Sequence, residues 1–448
     1  MKLFQRFAIR KSRQAPELLR GIWSPTTKEW RDIIEHYMSL SRKSFNNKLS
    51  MFKLQLWILE DLVNNSKAIK QIKAKLKELK SDKENQKISD EDFEADNKHL
   101  NSEIFGYEHI SDVLREIIDG IVWRYFDYKR GYLYLLADKQ PINLIIPNEG
   151  LINSLYEFAE LFLEPNNKAI FCDISNFIRI GDILNIRKDG SLELIEVKSS
   201  KHGGSRLTRQ KERMKEIIDF FNIGEMIQDG EKYRIITYDS KQQYHLSALK
   251  DTILRAKNKG YDSILLGNYV ILNVIDFDRL NNLDKAFEYF DSKHESIKDK
   301  WKIKNDFIFP SFYIEKMQFS RNYAPFSIFP FNAEMCTDIM IGKLMIHTEI
   351  NFTEILRILE KSGWRVVDSI VNRPEEITKE DIWTVPFCIV KKGELTFPIR
   401  FPSIGRLQFE LLSPKSIIEE LNYFYNIGPV EEPINNIINY SYDEEIWD

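Results

Sequence analysis

Residues 181–200 read GDILNIRKDGSLELIEVKSS. The Asp189-Gly190 dipeptide separates two β-rich runs and is a strong signal for a hairpin. Because successive strand side chains point to opposite faces, Glu196 and Lys198 in the second run share one face. The hairpin brings the preceding strand alongside, where Asp182 stands near Glu196. We therefore predict that two carboxylates and one ammonium group converge at one end of this hairpin.

This cluster has the residue types that phosphodiester hydrolysis requires. Carboxylate oxygens suit Mg²⁺, which keeps several waters in proteins and uses one or two carboxylates. A bound divalent ion polarises a phosphate and lowers the pKa of a bound water, and a neighbouring lysine can orient that water. Mg²⁺, for which Mn²⁺ can substitute, is the predicted cofactor. The alternative is a charge pair on a solvated strand face, but hydrophobic strands surround this pair and a basic helix follows it.

The flanking sequence predicts a compact α/β unit around the hairpin. Apolar residues at helical spacing indicate helices, and short β-rich runs indicate strands. In chain order the predicted elements are a helix at 150–163, strands at 168–173, 177–187 and 192–198, a helix at 206–222, a strand at 233–238, a helix at 246–259 and a strand at 268–277.

An Asp followed across a hairpin by Glu-x-Lys resembles the motif of the PD-(D/E)XK nuclease superfamily. The order helix, three strands, helix, strand looks like the core of that superfamily, so the resemblance implies a restriction-endonuclease-like fold over residues 150–240. It implies that Asp182 and Glu196 bind the metal and that Lys198 assists the attacking water. Gly181 precedes Asp182 where the motif has proline, a departure that the superfamily tolerates.

The same resemblance implies two further site residues. The stretch from Arg206 to Arg213 is similar to the arginine-leucine and glutamine stretch of the virus-type replication-repair nuclease branch, which makes Gln210 the candidate supporting residue. An acid on the preceding helix often completes such a site. Either Glu157 or Glu160 is suited to that role, and Glu157 is taken as the candidate third metal ligand.

A run of basic residues follows the hairpin and predicts a nucleic-acid-binding surface. Phosphate contacts need such cations, and the release of counterions drives binding. Only Glu212 opposes their charge within the run. The alternative is a solvated helix face, which is less favoured beside a metal site. The predicted nucleic-acid-binding residues are Lys201, Arg206, Arg209, Lys211 and Arg213.

The length of 448 residues predicts two or three domains. We expect a mostly helical region at 1–140, the nuclease core at 141–285 and a mixed α+β domain at 286–448. Three widely spaced cysteines give no disulfide framework or zinc spacing, which favours a cytoplasmic location. No run approaches the roughly 20 apolar residues of a membrane-spanning helix, so no membrane association is expected.

Several other enzyme classes lack their motifs in this sequence. There is no Gly-x-Ser-x-Gly elbow of a serine hydrolase and no phosphate-binding loop of a P-loop motor. The seven histidines are scattered, which argues against a zinc enzyme. The net charge of −4 decides nothing about nucleic acid, because a basic groove can lie on an acidic protein.

These patterns predict a metal-dependent DNA endonuclease, of the kind found among bacterial restriction or anti-phage defence effectors. The alternatives are a subunit activated by a partner protein or ATPase, a repair or recombination nuclease, and a catalytically silent nucleic-acid-binding module. The expected partners are nucleic acid, with DNA favoured over RNA, a second protein, and a second copy of the chain. The patterns do not distinguish endonucleolytic from exonucleolytic cutting, or one target sequence from another.

Overall fold

The computed structural model describes residues 24–43, 45–136, 144–165, 167–178, 180–197, 205–228, 231–238, 241–279, 288, 292, 308–312, 323–372, 385–428 and 434–440. In this part of the chain the architecture is mixed α/β, with a helical N-terminal region and small, mainly antiparallel sheets. None of the helices in these ranges combines the length and the apolar character that a membrane span requires.

Long helices build the N-terminal region. They are α1 (Pro25–Lys43), α2 (Lys48–Glu84), α3 (Asp90–Tyr125) and the short α4 (Arg130–Leu136). The Asn47 side chain caps α2 by accepting the Ser50 amide at 3.0 Å, and Ser89 caps α3 by accepting the Asp92 amide at 3.1 Å. Apolar residues of α1, α2 and α3 belong to one buried core, so tertiary packing stabilises these helices.

The central segment contains the hairpin around Asp189-Gly190. Its elements are α5 (Glu149–Leu163), β1 (Lys168–Phe171), β2 (Ile183–Ile186), β3 (Leu192–Ile195), α6 (Ser205–Ile223), β4 (Glu225–Gln228), β5 (Glu231–Tyr238) and α7 (Leu246–Lys259). The predicted hairpin is confirmed: the Arg187 amide donates to the Ser191 carbonyl at 2.9 Å, and Gly190 has a φ of 81°. Strands β1, β2 and β3 form an antiparallel sheet in that order.

Two further sheets follow in the chain. The order β6-β7-β9-β8 joins β6 (Tyr261–Leu266), β7 (Val270–Asp276), β9 (Leu344–Asn351) and β8 (Ile308–Phe312). The order β10-β11-β12 joins β10 (Arg365–Ser369), β11 (Pro386–Lys392) and β12 (Leu395–Arg400). The helices of this part are α8 (Ala333–Met340), α9 (Phe352–Lys361), α10 (Phe401–Phe409) and α11 (Pro414–Ile427).

Strand pairing and core packing cross the predicted domain boundaries. Strand β7 pairs with β9 on the far side of residue 285, and β5 pairs in parallel with β13 (Ile434–Tyr440) near the end of the chain. One hydrophobic core includes buried residues from Ile34 to Leu421. The ranges 1–140, 141–285 and 286–448 thus contribute to a common core, and their division into three domains stays a prediction.

The fourth strand of the predicted core has different neighbours from the first three. In the described ranges β5 lies between β4 and β13, whereas β1, β2 and β3 form a sheet of their own. The predicted order of helices and strands is present, with β4 added before β5. The sheet topology therefore does not confirm a restriction-endonuclease-like core.

Candidate active site

Asp182 lies at an irregular point of the β2–β3 ladder. Ile183 is the register partner of Ile195, yet the Asp182 amide also donates to the Ile195 carbonyl, at 2.8 Å. Two successive residues of one strand thus face one residue of the other, which is the count of a β-bulge. Gly181, just before Asp182, has a φ of 75°, a left-handed conformation that glycine adopts without a steric penalty. The bulge, more than simple alternation, therefore sets the direction of Asp182.

The departure from proline at residue 181 has a structural reason. Proline is restricted to a φ near −65°, so it cannot adopt the φ of 75° that Gly181 has here. A Cβ atom at this position would also lie 3.1 Å from the Ile195 carbonyl oxygen. The observed backbone at residue 181 therefore accommodates glycine and excludes proline.

We expect Gly181→Ala to lower the free energy of unfolding by more than Gly190→Ala does. Both glycines have positive φ values, which cost other residues about 1–2 kcal/mol. A Cβ at Gly190 meets no atom within 4 Å, whereas one at Gly181 crowds Ile195, so only Gly181→Ala adds a packing cost. Urea unfolding followed by circular dichroism measures both values. Equal destabilisation by the two variants would contradict the close approach of residue 181 to the Ile195 carbonyl oxygen.

The Asp182 carboxylate is held by the backbone of the strand opposite. The Val197 amide donates to Asp182 Oδ2 at 2.7 Å. Burial raises the pKa of Asp182, the Val197 amide lowers it, the negative charge of Asp173 raises it and the Ser154 hydroxyl lowers it, with a net rise. Ser154 lies on α5, so that helix contributes to the environment of Asp182. A nearby cation would stabilise the charged form of a carboxylate that, like Asp182, is partly buried beside another acid.

Three carboxylates act on one buried thiol at the end of this sheet. The pKa of Cys172 is well above its ordinary value because of burial first, and because of the charges of Asp173, Asp182 and Glu196. The Cys172 amide also donates to the Asp182 carbonyl at 2.8 Å, which ties the end of β1 to the bulge. The charges of Asp182 and Glu196 thus both raise the pKa of this thiol, and their convergence on a metal ion stays a prediction. Asp173 is a third acid of this site.

The sequence did not single out Asp173. It lies two residues after β1, in the 3-10 turn Cys172–Ile174, and its charge acts on Asp182 across the β1–β2 pair. The register was the missing information, because Asp173 has no motif of its own. Arg115 of α3 balances this acid: burial lowers the pKa of Arg115, whereas Asp112, Asp119 and Asp173 raise it.

Asp119 holds the loop between Asp173 and the bulge. Its Oδ1 atom accepts the Ser175 hydroxyl at 2.6 Å and the Asn176 amide at 2.8 Å. Burial raises the pKa of Asp119 to about 6, against the effect of these donors. Helix α3 thus supports the site from behind through Asp119 and Arg115, two buried polar residues that sequence periodicity alone did not mark.

The two glutamates proposed on the preceding helix lie on different parts of α5. Glu157 lines a cleft together with Asn185 of β2 and Glu193 of β3. Glu160 is exposed to solvent. The α5 residue that acts on Asp182 is Ser154, one turn before Glu157. A role for Glu157 as a metal ligand stays a prediction.

Helix α6 follows the hairpin, as predicted, and packs against the bulge. A Cβ on Gly181 would lie 3.5 Å from the methyl carbon of Met214, a buried residue of α6. Gln210 is one helical turn before Met214 along the α6 backbone. Arg213 is half-buried and pairs with Glu216 at 3.3 Å.

Several predicted site residues fall outside what the structure describes. Lys198 and Lys201 lie outside the described residues. Positions 206, 209, 210 and 211 are described as part of the α6 backbone, but their side chains lie outside the description. The roles predicted for Lys198, Lys201, Arg206, Arg209, Gln210 and Lys211 therefore stay predictions.

The donor chemistry of the site fits a divalent cation held by two carboxylates. Asp182 and Glu196 offer the hard oxygen ligands that Mg²⁺ and Mn²⁺ bind, and Mg²⁺ takes one or two carboxylates with waters filling its other positions. In the described part of the chain, no group of three or more His, Cys, Asp or Glu side chains is arranged to hold a metal ion.

No family model matches this chain, and no curated protein and no solved structure is significantly similar to it. The resemblance to the PD-(D/E)XK superfamily is therefore one of a short motif and of element order.

Proposed function

We propose that this protein is a metal-dependent nuclease that hydrolyses DNA phosphodiester bonds internally, with a PD-(D/E)XK type of active site. The observation that carries the proposal is the bulge at Gly181–Asp182, whose aspartate is bound by the Val197 amide at the end of β3. Glu196 immediately precedes Val197, and its charge reaches the same buried thiol as that of Asp182.

Each residue has a definite role in this proposal. Asp182 and Glu196 would hold Mg²⁺, which supplies a polarised phosphate and a bound water of lowered pKa when it is present. The Val197 amide keeps the Asp182 carboxylate oriented. Lys198, two residues beyond Glu196, would orient the attacking water, as the resemblance implies. Asp173 with Arg115 shapes the charge around Asp182.

The arginines of helix α6 favour a nucleic acid as the substrate. Positions 206, 209 and 213 are arginines, and their spacing of three and four residues puts them on one face of the helix. Met214 brings this helix against Gly181, so α6 borders the proposed site. Binding through such cations is sequence-independent and weakens as the salt concentration rises.

The wider role is proposed from analogy of architecture. The order α5, β1, β2, β3, α6, β5 resembles that of the superfamily core, with β4 added before β5 and β5 lying in another sheet. Large flanking regions pack around these elements, and they would select the target or bind a partner protein. A restriction or anti-phage defence effector is the setting that this combination favours.

A cleavage assay tests the proposal. The purified chain is incubated with supercoiled plasmid in Mg²⁺, Mn²⁺ or EDTA, beside the Lys198→Ala variant. We expect nicked or linear plasmid with either metal, none with EDTA, and a strong loss of cutting by the variant. Parallel assays with single-stranded DNA and RNA identify the substrate class.

Two results would count against the proposal. Cutting that persists in EDTA or in the Lys198→Ala variant would mean that the activity comes from elsewhere. A lack of cutting on every substrate would contradict a free-standing enzyme and favour a subunit that requires a partner, which repeating the assay with the products of neighbouring genes would test.

A further inference from the structure

A cleft lies between α5 and the β2–β3 hairpin, and Ile195 of the bulge is one of its lining residues. Its volume is about 640 Å³. Asn185 of β2 and Glu193 of β3 are register partners and lie in its wall, and Glu157 and Leu161 of α5 face them. This is the opposite face of the hairpin from the Leu184–Leu194 pair, because strand side chains alternate.

The charges that line this cleft are mainly negative. Four carboxylates, those of Glu157, Glu164, Asp189 and Glu193, are present against the two cations of Arg187 and Lys188. Arg187 already pairs with Glu193 at 2.8 Å. Lys48 at the rim donates to the backbone carbonyl of Glu164. The lining therefore favours a cationic ligand over an anionic one.

A buried acceptor in the wall points to the same ligand. Asn185 is 1% exposed, and its Nδ2 donates to Glu193 Oε2 at 3.3 Å. Its Oδ1 has no hydrogen-bond partner among the described residues. A buried amide oxygen without a donor is costly, so such atoms are usually satisfied by a ligand or a water. Exchanging its O and N atoms would turn the oxygen towards the Glu193 carboxylate, which repels it.

We propose that this cleft binds an organic cation, a guanidinium or alkylammonium group that donates to Asn185 Oδ1 and pairs with the surrounding carboxylates. Guanidinium and ammonium groups carry donors but no acceptors, which matches a lining of oxygen acceptors. The group is either an Arg or Lys side chain of another polypeptide or a free polyamine. The proposal does not depend on nuclease activity.

Calorimetric titration of the full chain tests the cleft with three probes. N-acetyl-argininamide carries the guanidinium group of a protein side chain, spermidine represents free polyamines, and N-acetyl-citrullinamide is the uncharged isostere of the first probe. We expect saturable binding of the arginine or the spermidine probe, with a dissociation constant on the order of 1 mM or tighter, and none of the citrulline probe. The stronger of the two cations identifies the source of the ligand.

Variants link the binding to the cleft. Glu157→Gln on the half-exposed face of α5 should weaken binding of the favoured cation roughly fivefold, and Asn185→Leu should weaken it further by removing the acceptor. Glu160→Gln, an exposed glutamate of the same helix outside the cleft, is the matched control and should bind as the wild type does. The proposal is overturned if neither cation binds, if the citrulline probe binds equally well, or if Glu157→Gln and Asn185→Leu bind unchanged.

Discussion

Replacing Asp182 by asparagine is expected to lower the rate of metal-dependent DNA cleavage by about 100-fold or more. Asparagine keeps the shape of the side chain and can still accept the Val197 amide, but it removes the negative charge that a divalent ion requires. Changes to residues that only support a metal ligand already cost roughly 10–100-fold, so the loss of a direct ligand should cost at least as much. Initial rates of plasmid nicking with Mg²⁺ measure the effect.

The same substitution at Asp219 provides the control. Asp219 lies on the exposed side of α6, the helix that packs against the bulge. Asp219→Asn should cut DNA at the wild-type rate, and both variants should have the circular dichroism spectrum of the wild type. If Asp182→Asn cleaves as fast as Asp219→Asn, Asp182 is not a metal ligand and the assigned site is wrong.

The second large effect is expected at Glu410, where substitution by alanine should lower the free energy of unfolding by about 3–5 kcal/mol. Glu410 is fully buried at the end of α10 and accepts Arg130 Nη2 at 2.6 and 2.8 Å. It also accepts Arg406 Nε at 3.0 Å and the Ala324 amide at 2.7 Å. Alanine would remove the carboxylate that the buried Arg406 and the partly buried Arg130 both contact. Urea unfolding followed by circular dichroism measures the change.

Glu419 supplies the control for this prediction. It is partly exposed on α11 and pairs with Lys415 at 3.6 Å, so Glu419→Ala should change the stability by no more than about 1 kcal/mol. Comparable destabilisation by the two variants would contradict the buried network. Because α4 and α10 are far apart in sequence, the Glu410 network also ties the N-terminal helices to the C-terminal part.

The stability contributed by Glu410 should depend on pH. Burial raises its pKa, but Arg130 and Arg406 lower it more strongly, to about 2. The folded-state pKa is thus below the ordinary value of about 4.3, so the contribution is complete above that pH and is lost as the pH falls towards 2. The Glu410→Gln variant should lack this part of the pH dependence, which unfolding measured at several acidic pH values checks.

Local features of the site were predictable from the sequence. The Asp189-Gly190 signal identified the β2–β3 hairpin, and apolar periodicity identified α5, α6 and α7 close to their observed bounds. These elements are encoded by neighbouring residues, so a short window contains the necessary information. The pairing of Asp182 with the end of β3 followed from the hairpin in the same way.

Features that depend on distant pairing were not predictable. The β5–β13 pair joins residues about 200 positions apart, and the sequence of neither strand indicates which strand it pairs with. The bulge requires the register of β2 with β3, and the inclusion of Asp173 requires the register of β1 with β2. Strand β9 is buried throughout, but its polar residues His347, Thr348 and Glu349 interrupt the apolar run by which a core strand is recognised in a sequence.

The most direct test of the central claim is the binding of Mn²⁺ to the purified chain, followed by electron paramagnetic resonance, because it requires neither a substrate nor an activating partner. We expect the wild type and Asp219→Asn to bind the ion and the Asp182→Asn/Glu196→Gln double variant not to bind it. Equal binding by the wild type and the double variant, or no binding by the wild type, would contradict a metal site built from Asp182 and Glu196.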